Sequence, residues 1–287
     1  MSDDLNPLVA RRRLRIELRN ARQGAGYTQE QVAAAMEWSL SKLIRIESGS
    51  VGITTNDLRA LLRYYAIKDP GRTAELLALG RASREKPWWS EHRDLISPQL
   101  GMLIDYESTA TIIRSFQPLL IPGLLQTEAY ARAAISQFSA PSTPDRLDNV
   151  VKIRMRRQEI LSRRDGPKLL AVLDEAAIRR NVGGSRVMRE QISHLASMAS
   201  RRNVSIEIVP FNAGIHPGLQ GPFVVLEFPD PADNDLLFLE SSRGDLFIRD
   251  DVDEVASYQE KFEQLRKMSI DSSETIAYLS QAADELK

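Results

Sequence analysis

The chain has 287 residues, 43% hydrophobic and 27% charged, with a formal net charge of −1 and no cysteine. That length suggests two domains at about 100–200 residues each, and the ordinary composition fits a globular protein with apolar material for two cores. The lack of cysteine excludes disulfide frameworks, thiolate zinc sites and thiol nucleophiles and fits a reducing compartment. No apolar run approaches the roughly 18–20 residues that span a bilayer. Met1–Ala10 carries two aspartates and no apolar h-region, unlike a signal peptide, so a cytoplasmic protein is expected.

Residues 1–86 carry 15 Lys and Arg against 10 Asp and Glu, and the remainder 23 against 29. A basic first third joined to an acidic remainder points to a polyanion as partner of the first third. Five helices and no strand are predicted there. Leu14, Leu18 and Ala21 recur at helical spacing in the first. Thr28 and Gln31 form a capping box that opens the second. Ser39 caps the third, which ends at Gly49, a residue suited to a left-handed backbone. Thr54 or Thr55 caps a fourth helix through Leu58, Leu61 and Leu62, and a fifth runs from about Asp69 to Ala82. Helical pattern stops at Arg84-Glu85-Lys86 and Pro87 breaks the chain, which sets the domains at 1–86 and 87–287.

The second region mixes strands and helices. Strands are expected at Leu169–Leu173, Val204–Val209, Phe223–Phe228, Leu236–Glu240 and Leu246–Arg249, the last two forming an antiparallel hairpin around the turn signal Arg243-Gly244-Asp245. Helices are expected at Thr127–Ser136, Arg146–Ser162, Glu175–Arg180, Ser185–Ser200, Val252–Lys267 and Ser272–Leu286, with Pro141–Pro144 as a loop. The expected fold is therefore an all-α five-helix domain followed by an α+β domain with a mainly antiparallel sheet.

The informative unit is the pair of helices Thr28–Met36 and Leu40–Glu47 around the turn Glu37-Trp38-Ser39. Ala33 is small enough for the close crossing, and Val32, Met36, Trp38, Leu43 and Ile46 would form the core. The second helix then turns Leu40, Ser41, Lys42 and Arg45 outward. Arg11, Arg12, Arg15, Arg19 and Arg22 form a basic stripe on the first helix, either a phosphate-binding face or a solvated one. Gly26-Tyr27-Thr28-Gln29, Val32-Ala33, Met36, Ser39, Leu43, Arg45-Ile46-Glu47 and Gly49 together resemble the XRE family of helix-turn-helix regulators, the lambdoid phage repressor type. The resemblance implies a DNA-contacting set of Gln29, Ser39, Leu40, Ser41, Lys42 and Arg45. Within it Gln29 would bond a phosphate and brace the recognition helix, and Leu40, Ser41 and Arg45 would face bases. Lys42 would touch phosphate or a base. It also implies that Arg22 and Glu47 form a buried ion pair. Glu37 stands where the family usually has glycine. A glutamate disfavours a left-handed backbone, so a turn of different shape is expected.

Residues 87–287 hold no strong catalytic motif. His92, His194 and His216 are widely separated and lack metal-ligand spacing. Gly183-Gly184-Ser185 reads as a turn with a serine N-cap or as an anion cap. Glu207, Glu227 and Glu240 either point to solvent or make ordinary cross-strand pairs, or they gather with Arg114 or Arg249 in a polar pocket. Asp174-Glu175 reads as a strand end followed by a helix start. Trp88-Trp89, Tyr106-Glu107, Ile121–Arg132, Arg154 with Arg157-Gln158, Leu173–Ala176, Val182-Gly183-Gly184, Val209-Pro210-Phe211 and Gly221-Pro222-Phe223 resemble the C-terminal domain of actinobacterial WhiJ-type regulators. Members often occur beside a small partner protein in toxin–antitoxin-like pairs. The expectation is a dimeric, sequence-specific repressor on an inverted-repeat operator in double-stranded DNA, with no cofactor, metal or catalytic activity. Its C-terminal domain would dimerise and respond to a small partner protein or ligand. The alternative is an antitoxin-like protein whose main task is to bind that partner, with DNA binding as autoregulation.

Overall fold

The computed structural model describes residues 7–138, 143–229, 234–240, 245–248 and 251–286. The chain divides into two compact units at Glu91/His92, a few residues beyond Pro87.

The first unit is built from α1 (Pro7–Gly24), α2 (Gln29–Ala35), α3 (Leu40–Glu47), α4 (Thr55–Tyr64) and α5 (Pro70–Ala82). Side-chain caps open four of them. Thr28, Ser39, Thr54 and Asp69 each accept a backbone N–H from the first turn, which offsets donors that a helix start leaves unpaired. Leu14, Leu18, Val32, Leu43, Leu58 and Leu76 meet in one apolar core. Each such side chain contributes about 1.5–3 kcal/mol relative to exposure.

Among the described residues the second unit carries a six-stranded sheet in the order β3-β2-β1-β4-β5-β6. Its strands are β1 (Ile112–Gln117), β2 (Lys168–Asp174), β3 (Val204–Val209), β4 (Phe223–Glu227), β5 (Leu236–Leu239) and β6 (Leu246–Ile248). β1, β2 and β3 run parallel, and β4, β5 and β6 are added antiparallel, so the expected hairpin of the last two strands is present. The sheet is thus mixed, with three antiparallel pairings and two parallel ones. One face, through Ile113, Leu173, Ile206 and Phe238, packs on helices that include α6 (Pro98–Thr109), α7 (Glu128–Phe138), α10 (Ser185–Ala199) and α12 (Ser272–Asp284). The other face, through Phe116, Val172, Val225 and Leu237, is covered by Val255, Phe262 and Leu265 of α11 (Val252–Met268). The remaining helices are α8 (Pro144–Arg157) and the short α9 (Glu175–Arg179).

Two elements escaped the sequence pattern. β1 is bordered on both sides within the sheet, yet reads Ile-Ile-Arg-Ser-Phe-Gln, with Arg114 and Ser115 breaking its apolar run. Helix α6 buries Glu107 and Ser108 beside Leu103 and Ile104, so its inward face is not apolar. At the Gly-Gly turn the cap is Gly184 at φ +93°, with no side-chain hydrogen bond, so Ser185 is not the N-cap. Pro144 belongs to α8 as its first residue, not to the loop. Arg243, Gly244 and Arg249 lie outside the described residues.

Candidate nucleic-acid interface

Helix α2 starts with a reciprocal cap: Gln31 N donates to Thr28 Oγ1 at 3.2 Å and Thr28 N donates to Gln31 Oε1 at 2.9 Å. The chain then turns through Glu37, whose φ of +56° is left-handed. The sequence-based expectation of a different turn is corrected here, because the glutamate adopts the conformation it disfavours. Trp38 N donates to Ala33 O at 2.8 Å and closes the turn. A left-handed non-glycine residue costs about 1–2 kcal/mol. Glu37 is exposed, and Glu37→Gly is therefore expected to stabilise the unit by about 1 kcal/mol in a denaturant titration.

The angle between α2 and α3 is held by a buried cluster. Glu47, 2% exposed, accepts Arg22 Nε at 2.8 Å, Arg22 Nη2 at 3.0 Å and Gln29 Nε2 at 2.8 Å. Arg22 Nη1 also donates to the Tyr27 carbonyl at 2.9 Å, which ties α1 to the start of α2. The hydrogen bonds to Glu47 push the already high pKa of Arg22 up further. Gln29 therefore braces α3 through Glu47, and its second amide hydrogen has no partner among the described residues.

Helix α3 buries Leu43, Ile46 and Glu47 and leaves the opposite face in solvent. Leu40 is 38% exposed and Ile44 43%, and both Ser41 and Arg45 are exposed beside them. Ile44 was missed in the sequence. Its spacing of four from Leu40 and three from Ser41 places it on that face. The Arg45 guanidinium has no partner among the described residues, whereas Ser39 is occupied as N-cap of α3, accepting Lys42 N at 3.2 Å.

Lys42 is held within the unit. Its Nζ lies 3.2 Å from Asp57 Oδ2 on α4 and 3.9 Å from the centroid of the Trp38 ring. Asp57 thus shields the cation that a phosphate would approach. Asp57→Asn is expected to tighten binding to all DNA sequences, since Lys42 then reaches a phosphate without giving up a carboxylate, and to leave the slope of log K on log salt about unchanged. Salt titrations of wild type and variant on one duplex measure both.

The basic stripe of α1 is also engaged inside the unit. Arg11 Nη2 donates to Ser83 O and Arg15 Nη1 to Ser48 O, each at 3.0 Å, closing the C-terminal ends of α5 and α3. Arg12 and Arg19 are engaged as well. By contrast Arg59 and Arg63 of α4, which sequence reasoning passed over, are exposed and have no partner among the described residues.

Residues 13–76 match a helix-turn-helix domain family, and residues 100–281 match a domain of unknown function, DUF5753. The chain belongs to the DUF5753 family. No curated protein and no solved structure matches it. A helix-turn-helix domain marks a DNA-binding regulator, and no helix is long and apolar enough to cross a membrane among the described residues.

In the DUF5753 region Glu227 and Glu207 of the strands, and Glu240 just beyond β5, go to separate partners. Glu227 pairs with Arg114, Glu207 with Arg266 at 2.8 Å, and Glu240 accepts Gln117 Nε2 at 3.1 Å. Glu263 of α11 links the first two pairs, lying 2.6 Å from Arg114 and 3.3 Å from Arg266. Glu227 and Glu207 thus join a ladder of ion pairs between the sheet and α11, with Glu240 apart from it, so the three do not gather in one pocket. Asp174 ends β2 and caps α9, accepting Ala176 N at 2.7 Å, and its other oxygen holds the buried His216 Nε2 at 3.0 Å. Among the described residues no group of His, Asp and Glu could hold a metal ion.

Proposed function

We propose that this protein is a sequence-specific transcriptional repressor of XRE type that reads an inverted-repeat operator with α3. The observation that carries the reading is the face of α3. Leu40, Ser41, Ile44 and Arg45 are exposed together on a helix whose tilt is fixed from below by Arg22, Gln29 and Glu47. In a helix-turn-helix, side chains on this helix reach base edges in the major groove. Gln29 and Lys42 would contact phosphate, Lys42 after exchanging Asp57 for the backbone. The protein would act as a homodimer in the cytoplasm, by binding and not by catalysis. Its C-terminal region, similar to that of WhiJ-type regulators, would supply dimerisation and response to an effector.

A second reading, the antitoxin-like protein that binds a small cognate partner, is favoured by one surface. Phe211, Ile215 and Leu219 are exposed on a single loop, Ile215 to 91%. The loop is anchored beneath by His216 on Asp174 and by Phe211 N donating to Glu175 Oε2 at 2.8 Å. Rigidly held apolar tips suit a protein partner.

Selection of bound fragments from sheared genomic DNA by the purified chain tests the first reading. It predicts enrichment of an inverted repeat whose half-sites lie about one helical turn apart. Unenriched fragments at moderate salt would refute it, and a small protein that copurifies from the native host would favour the second reading.

A further inference from the structure

The run Pro122-Gly123-Leu124-Leu125-Gln126-Thr127, which has no chemistry of its own in the sequence, closes on two arginines of α8. The 3-10 turn Gly123–Leu125 is pinned by Gln158, whose Nε2 donates to Gly123 O and to Gln126 O, each at 2.8 Å. Arg157 spends one edge of its guanidinium on the buried Glu107, with Nε and Nη2 each 2.6 Å from a carboxylate oxygen. Arg154 has no carboxylate partner among the described residues. Its hydrogen bond is from Nη1 to the neutral Gln126 Oε1 at 3.0 Å. The Nη1 atoms of both arginines converge on one point, since a Cβ built on Gly123 would lie 3.4 Å from each.

Two guanidiniums therefore face one glycine with a single carboxylate bonded between them. Burial, and then the charge of Arg157, lower the pKa of Arg154 to about 10, so it stays a cation at neutral pH. Glu240, the next carboxylate to hand, is exposed and bonded to Gln117. Gln117 ends β1, and from β1 the chain builds β2 and β3 on one side and later returns to add β4 on the other. The small crevice on the near side of Gly123, lined by Glu107, Ser115, Gln117, Leu124, Leu169 and Arg157, has about 20 Å³, room for a water molecule only. The oxyanion would therefore sit not in that crevice but at the two guanidinium edges that meet at Gly123.

We propose that Arg154 and Arg157 together receive a small oxyanion, a phosphate or carboxylate group, against the backbone of Gly123. The proposal stands whether or not α3 reads DNA. The competing role, a cation that merely complements the C-terminal end of α8, makes different predictions. The test is calorimetric titration and thermal unfolding of the full chain with sodium phosphate and, in parallel, sodium acetate, at ionic strength held constant with chloride. A saturable response to phosphate or to acetate is expected, and the stronger arm identifies the group. Arg154→Gln is expected to weaken that binding about tenfold or more and to leave the unfolding temperature in chloride unchanged or raised. Arg154→Lys, which keeps charge but loses the planar fork, is expected to fold and to bind more weakly than wild type. No saturable response to either anion would overturn the proposal. So would an undiminished response in Arg154→Gln, or the failure of both variants to fold, which marks a structural residue.

Discussion

Arg45→Ala is expected to relax base preference at one position of each half-site while the protein still binds DNA. Arg45 sits on the exposed face of α3 with a guanidinium that nothing in the described residues engages, so its donors are available to a base edge. A bidentate contact to guanine O6 and N7 is worth about 1–3 kcal/mol of discrimination, or about 5- to 150-fold between the right and wrong base pair. The cation also lies in the last turn of α3, where it favours the helix dipole, so a stability loss of a few tenths of a kcal/mol is the only expected structural effect. Competition between the operator and duplexes substituted at single positions measures the loss position by position. An equal loss on every duplex would make Arg45 a phosphate contact instead.

The largest stability effect is expected from Glu47→Ala. Glu47 is buried and gathers three donors, two from Arg22 and one from Gln29. Its removal leaves the Arg22 guanidinium buried beside an empty space, with only the Tyr27 carbonyl still bonded. Breaking one side of a buried pair costs about 3–5 kcal/mol, because the surviving charge keeps its desolvation penalty. That is a large share of the stability of a small domain, typically about 5–15 kcal/mol. Replacing both partners, Arg22→Met with Glu47→Leu, is expected to recover most of the loss. Denaturant unfolding followed by helical circular dichroism measures both variants. A cost for Glu47→Ala below about 1 kcal/mol would mean that the cluster does not hold α3 against α1 and α2.

The five helices and their caps were legible because their signals are local. Thr28, Ser39 and Asp69 occupy the cap positions their chemistry favours, and Leu58, Leu61 and Leu62 keep helical spacing to the core. The pair Arg22 and Glu47 was legible only through resemblance, since nothing in a spacing of 25 residues says that two side chains meet. Lys42 shows the opposite case. Its place on α3 reads as a free cation, and only tertiary structure brings Asp57 and Trp38 to it. Ile44 was passed over because an apolar residue on a short helix reads as core, although its position relative to Leu40 and Ser41 places it outward. In the second unit β1 and α6 were hidden for one reason. Arg114 is partnered by Glu227 and Glu263, and Glu107 by Arg157, so polar residues stand where the pattern calls for apolar ones. The same partnering conceals the arginine pair at Gly123, whose members come from a helix about 30 residues further along the chain.

The central claim, that α3 makes this protein a reader of sequence and not merely a polycation for DNA, is tested most directly by one binding comparison. The full chain is titrated onto the selected operator and onto a duplex of the same composition in scrambled order, across a range of salt. The account predicts that affinity for both falls with salt, while the operator stays favoured by about 10³-fold or more at physiological salt, the lower end for specific binders. Two superimposable curves, equally steep and equally weak, would contradict it.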